Sequence, residues 1–145
     1  MIASVPQLLT LIDMFTNNQT TRVGSAVSLP ADRLEAFARS YATTRLLEEC
    51  IASCETLATE LGPDPISMAL QDSLSECIAA CTGFLAATIR ESRYISHYAM
   101  FCSEVCASTA SACARRKDLA SNLSEVLCRA CANMVREDYA AVMAN

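Results

Sequence analysis

Nine cysteines recur along this chain at the spacing of an α-helix. They fall in four groups: Cys50 and Cys54; Cys77 and Cys81; Cys102, Cys106 and Cys113; Cys128 and Cys131. Every gap within a group is three, four or seven residues, after which a helix returns to the same face. Composition agrees with that period. The 145 residues hold 3 Gly, 4 Pro and no Trp, and Ala, Leu, Glu and Arg are abundant, which favours an all-α domain. No alternating strand pattern competes.

Breaks in the sequence divide the helices. Gly62-Pro63-Asp64-Pro65 is the strongest: Gly62 suits a helix C-terminus, Asp64 an N-cap and Pro65 a first helical turn. The next is weaker, with Ser92 the expected N-cap. Arg115, Arg116 and Lys117 suit the negative end of a third helix, and Asp118 the cap of a fourth. The expected long helices therefore run from Ser28 and Pro30 to about Leu61, then to about Arg90, to about Arg116 and to about Ala144. Ahead of them, Val5 to Phe15 reads as a short amphipathic helix and Asn17 to Pro30 as a polar linker. The expected organisation is a short N-terminal helix and linker over 1–30 and a four-helix bundle over 31–145. Short turns make sequential helices antiparallel, giving an up-down-up-down bundle.

The cysteine face is also the apolar face. It carries Ala36, Thr43, Leu47, Cys50, Cys54, Leu57 and Leu61 in the first long helix, and Ile66, Leu70, Leu74, Cys77, Cys81 and Leu85 in the second. The third contributes Ile95, Ala99, Cys102, Cys106, Ala110 and Cys113; the fourth contributes Leu127, Cys128, Cys131, Val135 and Val142. An apolar stripe faces a bundle's centre, so all nine thiols are expected to point inward. Reflection about the turns sets Cys50 near Cys77, Cys77 beside Cys106, Cys81 beside Cys102 and Cys106 beside Cys128. The thiols then form a column about 16 Å tall, with neighbouring helices about 8–10 Å apart. Cys54 and Cys113 are expected nearest its mouth.

So many converging thiols exceed what core packing alone requires. Disulfides along one helix are disfavoured, because Cβ atoms four residues apart are about 5–6 Å apart and a bridge needs about 3.8 Å. The cysteine count is odd, and Met1-Ile2-Ala3-Ser4-Val5-Pro6 has no basic region of the secretory kind. A cytoplasmic protein is expected, in which clustered thiols serve as metal ligands or catalytic groups. Buried thiolates need cations. Copper(I), soft and monovalent, suits pairs of thiolates one helical turn apart. Zinc wants a closed tetrahedral set and stands as the alternative; a thiol redox protein is a third reading. Several ions per chain are expected rather than one.

Other chemistry is thin. A net charge of −5 opposes nucleic-acid binding, and no stretch reaches the roughly 18 apolar residues of a membrane span. There is no Ser/His/Asp set and no phosphate-binding glycine loop, so an enzyme is not expected. His97 turns off the cysteine stripe and reads as an exposed or bundle-end residue. Met68, Met100 and Met134 lie off or beside the stripe and read as packing residues.

From Ala31 to Asn145 the chain resembles the copper storage proteins, cysteine-rich four-helix bundles. The likeness rests on Glu49-Cys50-Ile51-Ala52-Ser53-Cys54, Glu76-Cys77-Ile78-Ala79-Ala80-Cys81, Phe101-Cys102-Ser103-Glu104-Val105-Cys106 with Cys113, and Cys128-Arg129-Ala130-Cys131-Ala132. The resemblance implies a bundle filled with copper(I) through Cys-x-x-x-Cys pairs, storing the ion or keeping it harmless, and a homo-oligomer. Typical relatives carry many more cysteines. Here Ser40, Thr43, Ser73, Thr88, Thr109 and Ser124 occupy stripe positions, so the resemblance implies a reduced capacity confined to one section.

Overall fold

The computed structural model describes residues 31–139. They form four α-helices: α1 (Ala31–Glu60), α2 (Pro65–Ile89), α3 (Ile95–Ala114) and α4 (Leu119–Asp138). Among the described residues there is no strand. The expected N-terminal helix and linker, and Val142, lie outside the described residues. Two compact units divide after Ser40; the first includes the N-terminal turns of α1, and the second contains the rest.

Local chemistry explains the starts of α2 and α4. Asp64 caps α2, its carboxylate accepting from Ser67 N at 3.0 Å, and Pro65 occupies the first turn, where its missing N–H costs nothing. Asp118 caps α4 by accepting from Ser121 N at 2.7 Å, and Arg116 pairs with the same carboxylate at 2.9 Å. The hydrogen bond to Ser121 and then the Arg116 guanidinium pull the Asp118 carboxyl down to about 2.

The turn before α3 departs from expectation. Ser92 does not cap the helix; Tyr94 stands at that position without a side-chain bond. Glu91 takes a left-handed backbone, φ 51°, which reverses the chain, and Ser92 Oγ accepts from Tyr94 N at 3.1 Å. The hydroxyl is spent inside the turn, so α3 begins at Ile95. At the far end, α4 runs to Asp138, with Tyr139 as its C-cap; the expected end near Ala144 lies outside the described residues.

Contacts between helices follow a steady order. On α1 and α4, Thr43 donates to Asp138 at 2.6 Å, the Cys131 thiol to Leu46 O at 3.4 Å, and Ser53 meets Ser124 at 2.7 Å. On α2 and α3, Thr109 donates to Ser73 O at 3.2 Å, while Cys77 meets Cys106 and Cys81 meets Cys102, each at 3.8 Å. In both pairs residue numbers rise on one helix as they fall on the other.

The core joins Leu47, Leu57, Leu70, Leu74, Phe84, Ala99, Ala110 and Val135 to the cysteines. Phe84 meets Tyr139 edge to face at 5.5 Å. The stripe expected on α2 is rotated slightly. Ile66 is 77% exposed, whereas Ser67, Phe84 and Ala87 are buried. Capping explains the start, since Ser67 is held inward by Asp64 and by Arg116 at 3.4 Å.

Leu74 is fully buried and Ile89 is 83% exposed. Leu74→Ala is expected to lower unfolding free energy by about 2–5 kcal/mol, and Ile89→Ala to stay within about 0.5 kcal/mol of the parent. Urea unfolding of both variants followed by far-UV circular dichroism checks the contrast.

Candidate metal centre

The cysteines occupy the middle of the buried stripes. All nine are free thiols and none is more than 1% exposed. Their sulfurs form a connected network across all four helices. Cys128 Sγ lies 3.5 Å from Cys50 and 3.8 Å from both Cys54 and Cys77. Cys106 lies 3.5 Å from Cys81, 3.8 Å from Cys77 and 3.9 Å from Cys102.

Two closed sets stand out. Cys50, Cys54, Cys77 and Cys128 have sulfurs all within 4.8 Å of one another, and so do Cys50, Cys77, Cys81 and Cys106. No backbone amide or charged side chain belongs to either set. The donors are soft sulfur alone, which suits thiophilic ions and not calcium or magnesium.

The expected pairings of Cys77 with Cys106 and Cys81 with Cys102 are present, and Cys50 shares both sets with Cys77. Cys128 differs. It was expected beside Cys106, but its sulfur turns to Cys50, Cys54 and Cys77. Reflection about a turn gives height along the axis; it does not say which of the facing stripes a side chain leans toward.

The remaining cysteines are peripheral in different ways. Cys102 touches Cys81 and Cys106 from one side of the network. Cys131 spends its thiol proton on Leu46 O. Cys113 makes none of these sulfur contacts among the described residues, and belongs to neither set. Neither Cys113 nor Cys54, expected nearest a mouth, reaches solvent. His97 is exposed and packs its ring against Tyr94 at 6.2 Å. Met68 and Met100 are 55% and 45% exposed, so neither lines the cluster.

Hydroxyl groups fix the walls. Ser53 and Ser124 join α1 to α4, Thr109 joins α3 to α2, and Ser103 donates to Ala132 O at 3.1 Å, joining α3 to α4. Ser53 and Ser103 were not singled out in the sequence. Each flanks a cysteine on the neighbouring residue, and only the pairing of helices reveals the partner it meets.

Protons are unevenly held across the network. Hydrogen bonding with Cys106 and then with Cys81 brings the Cys102 thiol down to about 5, while the bond to Cys102 leads the forces that raise Cys106. Cys128 is raised, chiefly by Cys50 and then Cys54. A thiolate here is tolerated only where neighbouring S–H groups donate to it. Cys113 has no such donor, and burial pushes it up to about 11.

The fold has a known counterpart. The chain is similar in structure to the Cu(I)-bound copper storage protein BsCsp3, with a TM-score of 0.64 and 18% identity, over 68% of this chain and 96% of that one. No family model matches the chain, and no curated protein matches it in sequence. At this identity the similarity establishes the helical-bundle fold. No helix among the described residues is long and apolar enough to cross a membrane.

The shift at Cys113 has a testable sign. Its folded value lies above the ordinary 9.0, so the unfolded chain ionises first and the stabilising effect of the retained proton disappears as pH rises. Apo-protein stability is expected to fall between pH 9 and about 11, and Cys113→Ala to flatten part of that fall. Urea midpoints measured under argon across this range decide it.

Proposed function

We propose that this protein binds copper(I) through thiolates lining the core of a cytoplasmic four-helix bundle, and stores or sequesters the ion there. The observation that carries the reading is the pair of four-sulfur sets, buried and interlocked, with every thiol free. Buried sulfur of this density must stay largely protonated, with a thiolate only where a neighbouring S–H donates to it, or become thiolates neutralised by bound cations. A monovalent ion neutralises one thiolate for each ion taken up, so a cluster accommodates several without accumulating positive charge. Soft thiolate donors select copper(I). That the structurally similar protein is Cu(I)-bound and a copper storage protein supports the same assignment here.

All nine cysteines are assigned as ligands or reserve ligands: Cys50, Cys54, Cys77, Cys81, Cys106 and Cys128 in the two sets, Cys102 and Cys131 at their edge, and Cys113 apart. The opposed order of contacts between α1 and α4 and between α2 and α3 supports up-down-up-down connectivity. A homo-oligomer and a non-enzymatic role complete the reading.

Anaerobic copper(I) titration of the apo chain against a chromogenic chelator tests it. Several equivalents should bind, with free thiols disappearing in step. Saturation at or below one equivalent excludes storage. Cys113→Ser should change capacity least, and Cys77→Ser should lower it more, because Cys77 belongs to both sets.

A further inference from the structure

The two four-sulfur sets are not independent. Cys50 and Cys77 belong to both; Cys54 and Cys128 complete one, and Cys81 and Cys106 complete the other. Two tetrahedra that share an edge have this connectivity. We propose that these six cysteines form a binuclear site for two divalent, thiophilic ions of the zinc and cadmium class, with Cys50 and Cys77 each bridging both ions. The proposal rests on the preceding reading of these thiols as metal ligands, but it concerns a different charge and coordination number.

Geometry fits without large movement. A tetrahedral ion with metal–sulfur bonds of about 2.3 Å needs sulfurs about 3.8 Å apart. The first set holds Cys54 and Cys77 at 3.8 Å from Cys128, with Cys50 at 3.5 Å. The second holds Cys77 at 3.8 Å and Cys81 at 3.5 Å from Cys106. Each set is closed by four sulfurs from three helices, the coordination of a structural zinc site. Copper(I) is satisfied by fewer sulfurs.

Charge favours filling both positions. One divalent ion with four thiolates leaves two negative charges in the core. The second ion requires only two further thiolates, because the bridging pair is already present. The net charge of the filled pair is the same as that of the half-filled one, so the second ion enters without adding to the charge buried away from water. Each bridging sulfur then lies between two cations. Six thiol protons leave to solvent as the two ions bind, and no oxidant or reductant is involved.

Cys102, Cys131 and Cys113 stand outside the pair, which supplies internal controls. The test uses the reduced full-length apo protein titrated anaerobically with NMR-active cadmium. Thiolate-to-metal absorbance should rise linearly and saturate at two equivalents per chain, and cadmium NMR should show two resonances, each split by the other through the shared sulfurs. Cys54→Ser and Cys81→Ser should each retain one ion and lose the splitting. Cys113→Ser should retain both ions and the splitting. Cys50→Ser and Cys77→Ser each leave one bridging sulfur, so they should weaken the splitting or lose an ion; should either fail to fold, the terminal-ligand variants still decide the outcome.

Saturation at one equivalent, two resonances without mutual splitting, or loss of an ion in Cys113→Ser would overturn the binuclear site. The copper titration separates this from the storage reading. Uptake of several copper(I) ions with only one cadmium refutes the bridged pair alone. Two bridged cadmium ions with no more than one copper(I) refute storage and uphold the pair.

Discussion

A thiol buried among other thiols must keep its proton, lean on a neighbour's S–H, or surrender its charge to a cation. This constraint governs the structure around the sulfur network. It explains why Cys102 and Cys106 shift in opposite directions although they are 3.9 Å apart: a proton held by one is withheld from the other. It also explains why Cys131, at the edge, engages a main-chain carbonyl. The surrounding apolar layers of Leu47, Leu57, Leu74, Phe84 and Val135 keep water out, which makes each choice of proton or cation more consequential than it would be at a surface.

Helix dimensions make the arrangement feasible. Cysteine is small, and Ala, Ser and Thr occupy many of the intervening buried positions: Ala99, Ala110, Ala132, Ser103, Ser124 and Thr109. Small residues let helices approach closely enough for sulfurs on different helices to touch. Larger side chains flank the cysteines about one helical turn away, as Leu47, Leu57, Leu74 and Phe84 do, and Phe84 meets Tyr139 edge to face. The same stripe thus divides its work by size, with packing carried by Leu, Phe and Val and proximity by Cys, Ala and Ser.

Much of this was legible in the sequence because periodicity carries it. Gaps of three, four and seven identify both the helices and their common face, and the Gly62–Pro65 and Lys117–Asp118 breaks place the turns to within a residue or two. Three features were not legible, each for a physical reason. Helix rotation on α2 depends on the capping of Ser67, which turned Ile66 outward. The start of α3 depends on a left-handed Glu91 that no residue preference signals. The leaning of Cys128 across the core depends on three facing stripes at once, whereas sequence reasoning compares stripes in pairs.

The hydroxyl bonds between helices have a consequence of their own. Ser53 with Ser124, Thr109 with Ser73 O and Ser103 with Ala132 O occupy the ground beside the cysteines. They behave as tie-rods: a guest that pushed the helices apart would have to stretch several polar bonds, one of them buried and two part-buried, where an unmade bond costs more than at a fully exposed surface. On the proposed metal-binding role, ionic radius would then matter together with chemical softness. Ser53, Ser103, Ser124 and Thr109 thereby hold the sulfur core to set dimensions.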